Sequence, residues 1–110
     1  MPDRWKLDDV KVAGVTFEGR QEALREVAVG DWLAVVREPD NAYDANACGV
    51  WRVDRHGHPS VQVGFLPREV SAEIGPMCDS GYEVWAHVSA VLGGGERSIG
   101  LRVTLKRRPK

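Results

Sequence analysis

The sequence is poor in net charge, cysteine and long apolar runs, and each shortage narrows the reading. Fifteen basic side chains face sixteen acidic ones over 110 residues. A balance so close to zero argues against a protein that coats nucleic acid without specificity. It leaves room for a small, local phosphate site. Only two cysteines occur, Cys48 and Cys78, and they form no CxxC pair. Two buried thiols in a reduced cytoplasmic setting are the simpler expectation, and a single disulfide is the other. Of the three histidines, His56 and His58 flank Gly57 in a loop. No further ligands stand at suitable spacing, so neither a metal nor a cofactor is expected. No segment approaches the ~18 consecutive apolar residues of a membrane span. The polar start, MPDRWKLDD, lacks the pattern of a secretory leader.

Isoleucine and threonine are scarce too, with two of each against sixteen valines. Valine is stiff at χ1 and suits a pleated surface better than a helix. Twelve glycines and six prolines punctuate the valine-rich runs. The pattern predicts a mostly β domain. Strands are expected over Val10–Phe17, kinked at Gly14, and over Trp32–Glu38, Ala47–Asp54 and Val61–Leu66, the last two forming a hairpin around RHGHPS. Residues 20–27 (RQEALREV) stay ambiguous between loop, helical turn and short strand. Pro67 reads as the first residue of a helix that Gly75-Pro76 ends, with a second short turn after it. Tyr82–Leu92 and Ile99–Leu105 alternate cleanly around the flexible turn GGGE. The sum is a small OB-like β-barrel of about six strands, with one or two short helices between the fourth and fifth strands. Residues 1–8 read as an extension and 106–110 as a basic tail expected to fray.

One segment is denser in chemistry than a turn requires. Arg37 to Val50, REPDNAYDANACGV, holds two Asp, two Asn, an Arg, a Glu and a Tyr. Such residues bond neighbouring amides and build turns. A tyrosine beside a carboxylate can also stack a base and accept a hydroxyl proton. Three blocks in order, VAGVTF, then REPDNAYDANACGV, then VGFLPREVSAEI followed by CDSGYEV, resemble the HIRAN domain over residues 9–105. The resemblance implies an OB-like module that binds single-stranded DNA and captures its 3′-hydroxyl end. It also implies a role in DNA repair or replication-fork processing. The chain looks like the small standalone bacterial form, which has no motor and would need a helicase or nuclease partner.

Carried over residue by residue, the resemblance makes Asp44 the end-sensing carboxylate. A carboxylate accepts a strong hydrogen bond from a terminal hydroxyl and repels a terminal phosphate. The plainer role for Asp44 is a cap on its own turn. Tyr43 falls on the stacking aromatic, and a packed lid is its plainer role. Phe17 stands where the family commonly has a tyrosine, which keeps stacking and loses a hydroxyl. Thr16 stands where eukaryotic members carry an arginine, so one phosphate contact is missing. Asn41 matches a loop asparagine, while Ala42 replaces a frequent proline. Arg68 follows the helix-starting proline and suits a phosphate at a helix N-terminus. Phe65 is either core or a further stacking face, and Arg37 is a weaker phosphate candidate.

Two other classes compete. A protein–protein interaction module is the alternative, and it gains if Trp51 and Trp85 share an exposed patch. An enzyme is not expected. No nucleophile–base pair appears, and GGGE lies in a hairpin rather than between strand and helix.

Overall fold

Six segments satisfy their backbone groups by pairing into one antiparallel sheet in the computed structural model, which describes residues 3–110. These are β1 (Lys6–Lys11), β2 (Trp32–Arg37), β3 (Cys48–Val53), β4 (Pro59–Phe65), β5 (Tyr82–Gly94) and β6 (Arg97–Pro109). Their order across the sheet is β1-β6-β5-β2-β3-β4. Helix α1 (Arg20–Leu24) lies between β1 and β2, and α2 (Arg68–Asp79) between β4 and β5. The ambiguous segment thus supplies a short helix.

The period-two pattern of the last hairpin builds the core. Val84, Ala86 and Val88 of β5 and Leu101, Val103 and Leu105 of β6 are all buried. Ala86 pairs with Leu105 and Val88 with Val103, and Leu33 of β2 lies opposite Ala86. Leu24 and Ile74 bring both helices onto the same cluster. The last basic residues do not fray. Lys106 through Pro109 continue β6 against Tyr82–Trp85, and Lys106 also pairs with Lys6 of β1.

Three expectations need correction. The sheet is open and not a closed barrel: β1 and β4 are its edges. One isolated antiparallel bridge joins them, in which Ala13 and Phe65 exchange two hydrogen bonds of 2.8 Å. The pairing goes no further because Gly14, at φ +68°, turns the chain away. For the same reason the first strand does not run to Phe17. Its irregularity sits earlier, where the register shifts between Leu7 and Val10 and Asp9 takes φ 57°. Helix α2, finally, does not stop at Gly75-Pro76. Pro76 removes one helical hydrogen bond, from the carbonyl of Ala72, and Ala72 is solvent-exposed.

Gly64 makes the closing bridge possible. A Cβ there would lie 2.5 Å from the Ala13 carbonyl oxygen and 2.6 Å from a Val12 methyl. Gly64→Ala is expected to destabilise the fold by ~1–3 kcal/mol, the usual cost of overpacking. Urea unfolding followed by tryptophan fluorescence checks it.

Candidate functional site

Loop 38–47 leaves the end of β2 and returns as β3. Its shape comes from short polar side chains. The Asn41 side-chain oxygen accepts the amides of Tyr43 (2.9 Å) and Asp44 (3.1 Å), and one Asp44 carboxylate oxygen accepts the Asn46 amide at 2.9 Å. Asp44 therefore caps its own turn, and that bond engages a single oxygen of the carboxylate. The loop ends where Glu38 N–H bonds the Ala47 carbonyl. Held this way, the loop presents Tyr43 outward with 90% of its surface exposed. The lid reading of Tyr43 is excluded by that exposure.

Helix α2 braces the loop from behind at two points. Gly75 of α2 sits against Asn46 so closely that a Cβ would meet the Asn46 carbonyl oxygen at 2.9 Å. Arg68, exposed at the start of α2, donates to the Tyr43 carbonyl at 3.3 Å. The N-terminal end of α2 and a cation thus lie beside the tyrosine and carboxylate. Arg37 points to a different task. Its guanidinium is held by the Asp79 carboxylate at 3.3–3.4 Å and bonds the Ala47 carbonyl. It anchors the loop to the far end of α2 and does not join the cluster.

A second aromatic turn lies across the closing bridge. After Gly14 the chain turns through Val15 and Thr16, and Phe17, with its amide on the Gly14 carbonyl, is 66% exposed. Glu18 at φ 53° and Gly19 at φ 72° then redirect the chain into α1. Phe65, partnered with Ala13, is half-buried, and Arg20 covers its ring at 4.9 Å. Phe65 is therefore occupied as a packing face. Since β4 leads through Leu66 and Pro67 into Arg68, the bridge ties the turn that follows Ala13 to the strand that runs into the start of α2.

Arg20 escaped the sequence reading. It is 7% exposed, bonds the Gly14 carbonyl at 2.8 Å and pairs with Glu18 at 3.2 Å. Gln21 beside it donates to the carbonyls of Val15 and Ile99 and accepts the Ile99 amide, fixing the turn to β6. No periodicity reveals such roles in a five-residue helix. The two thiols, Cys48 and Cys78, are free and buried at the β3–α2 contact. Cys48 Sγ donates to the Asn46 carbonyl at 3.4 Å. The interaction between the neighbouring thiols holds Cys78 below its ordinary value and, with burial, pushes Cys48 up. No group of three metal-ligating side chains exists among the described residues.

This geometry defines a class: a small antiparallel β domain whose loops hold an exposed aromatic, a carboxylate and a cation at one end of the sheet. The comparisons narrow it. The model of the HIRAN domain matches residues 8–108, and the chain belongs to the HIRAN domain family. That family is known in general for binding DNA and is typically non-catalytic on its own. Two crystal structures share the fold. A protein from Lactobacillus plantarum superposes with a TM-score of 0.71 at 24% identity, covering 91% of this chain and 92% of that one. The HIRAN domain of human HLTF superposes with a TM-score of 0.63 at 21% identity, covering 91% and 72%. No curated protein matches the chain in sequence.

Gly75→Ala is expected to displace the loop without unfolding the sheet. Amide shifts in a nitrogen–proton correlation spectrum should cluster over residues 41–47 and leave β5 and β6 unmoved. Neutral-pH alkylation should modify Cys78 before Cys48, because Cys48 is fully buried while Cys78 keeps 9% of its surface exposed. Peptide mass spectrometry measures the ratio.

Proposed function

We propose that the Tyr43–Asp44 corner captures the 3′-hydroxyl end of single-stranded DNA. The observation that carries this reading is the 90% exposure of Tyr43 on a loop whose backbone is fixed by Asn41. An exposed aromatic held rigidly offers a stacking face to a terminal base at little entropic cost. Asp44, next along the chain, receives the terminal hydroxyl on the carboxylate oxygen that does not cap the turn. The same charge repels a terminal phosphate. Arg68 and the start of α2 take the preceding backbone phosphate. Phe17 supplies a second stacking face, and Asn41 orders the loop.

Magnitudes agree with a modest binder. Two stacked bases contribute ~2–6 kcal/mol, and one charged hydrogen bond ~1.5–3 kcal/mol. With Thr16 in place of a phosphate-binding arginine, the affinity falls in the micromolar range. A module of this kind serves DNA repair or replication-fork processing in the cytoplasm, with a helicase or nuclease partner supplying the motor or the chemistry.

Fluorescence anisotropy with three oligonucleotides tests the reading: a free 3′-hydroxyl, a 3′-phosphate and a closed circle. The free end should bind most tightly. Asp44→Ala should erase the preference for hydroxyl over phosphate. Tyr43→Ala should weaken all end binding by roughly tenfold, within the range of one lost stack. Equal affinity of the parent protein for hydroxyl and phosphate ends would refute end capture. Binding of the free end should also weaken steadily as salt rises, because phosphate contacts release counterions.

A further inference from the structure

The face of the sheet turned away from the core carries a constellation that the loop corner does not use. Cross-strand partners run in a row from Trp51 to Ala34, Trp85, Lys106 and Lys6. One pair along, Trp32 lies opposite His87, and the two rings stack at 4.4 Å with a 38° tilt. A cleft of about 350 Å³ opens on this face, lined by Trp32, Trp85, Lys106, Arg107 and Arg108. Trp32 keeps 45% of its surface exposed. An indole so open on a sheet face is available to a partner.

The rim is cationic and partly preorganised. Lys106 and Arg108 project to this face; Arg107 alternates to the other, opposite Val84, where Asp3 holds it at 2.8 Å and it lies over the rings of Trp5 and Tyr82. Arg108 pairs with Glu83, which also accepts the Trp85 indole N–H at 2.8 Å. That carboxylate is thus compensated from two sides, and these donors hold its pKa below the ordinary value. Lys106 makes no ion pair among the described residues, whereas Lys6, its cross-strand partner, is paired with Asp8 at 3.4 Å. The uncompensated Lys106 in the lining of an aromatic cleft favours an anionic occupant.

We propose that this cleft is a second contact for single-stranded nucleic acid, independent of strand ends. A base inserts against Trp32 and Trp85, and the adjoining phosphate lies on Lys106. Flat rings that alternate with single negative charges are the repeating chemistry of such a strand, and indole faces beside cations are its complement. Trp32 opens β2, whereas the loop of Tyr43 leaves its other end, about 17 Å away at the usual rise per residue. The cleft is therefore a separate site, and its occupancy does not require end capture.

A closed circular oligothymidylate, which has no 3′ end, is the probe. The intact chain is titrated with it while the indole N–H signals of Trp32 and Trp85 are followed by nitrogen–proton correlation. Both should shift and saturate. Trp32→Ala and Lys106→Ala should each weaken circle binding roughly fivefold or more, Trp32→Phe should restore most of it, and Asp44→Ala should leave it unchanged. Thermal melting of each variant confirms that the fold persists. The proposal is overturned if neither indole shifts, or if Trp32→Ala and Lys106→Ala bind the circle like the parent. It is overturned equally if a polyglutamate peptide moves both indoles and the circle does not, which would mark the face as a protein-docking surface. Loss of the preference for a free 3′-hydroxyl with circle binding intact would defeat end capture alone.

Discussion

Two hydrogen bonds between Ala13 and Phe65 tie together the end of the sheet that carries the candidate site. Among the described residues they are the single point at which the open sheet's edges meet. Gly64 permits the approach, and Gly14 ends it. Two parts of the candidate site are placed relative to that bridge. The turn bearing Phe17 follows Ala13, and the start of α2 follows Phe65 by three residues. Arg20 covers the bridge from above through the Phe65 ring and the Gly14 carbonyl.

The loop opposite follows another economy. Its polar side chains bond each other's backbone, so a segment rich in Asp and Asn becomes rigid without burying apolar surface. Helix α2 braces it twice: Gly75 lies against Asn46, and Arg37 reaches from β2 across to Asp79. The helix tolerates Pro76 because the interrupted hydrogen bond is on its exposed side. The positively charged groups divide in the same way. Arg20 and Arg37 are tied into structure, while Arg68 and Lys106 stay exposed at the two surfaces where an anion is expected. With net charge near zero, attraction to DNA is local and falls to the few cations that structure does not occupy.

The β-rich class, the six strands and the final hairpin were legible because the alternation of Val84, Ala86 and Val88 with polar neighbours admits one reading. The family was legible in the Asn41–Tyr43–Asp44 block, where residue types and spacing coincide. The end of β1 was not. Val15 and Phe17 alternate correctly for a strand, and only the positive φ at Gly14 and Glu18 excludes it. Nor was the continuity of α2 legible, since Gly75-Pro76 signals a stop wherever tertiary packing does not override it.

The sequence by itself determined which residues are apolar in alternation and which short polar side chains can lock a turn, because both depend on neighbours along the chain. Tertiary structure decided what each charged or aromatic group is free to do. Arg37 and Phe65 carry the right chemistry for a ligand, yet Asp79 and Arg20 already occupy them. Trp32 and Trp85 are fifty-three positions apart, counting from 32 to 85, and become neighbours only because β2 pairs with β5. Contacts of that separation follow from the pairing of strands, and local sequence does not encode them.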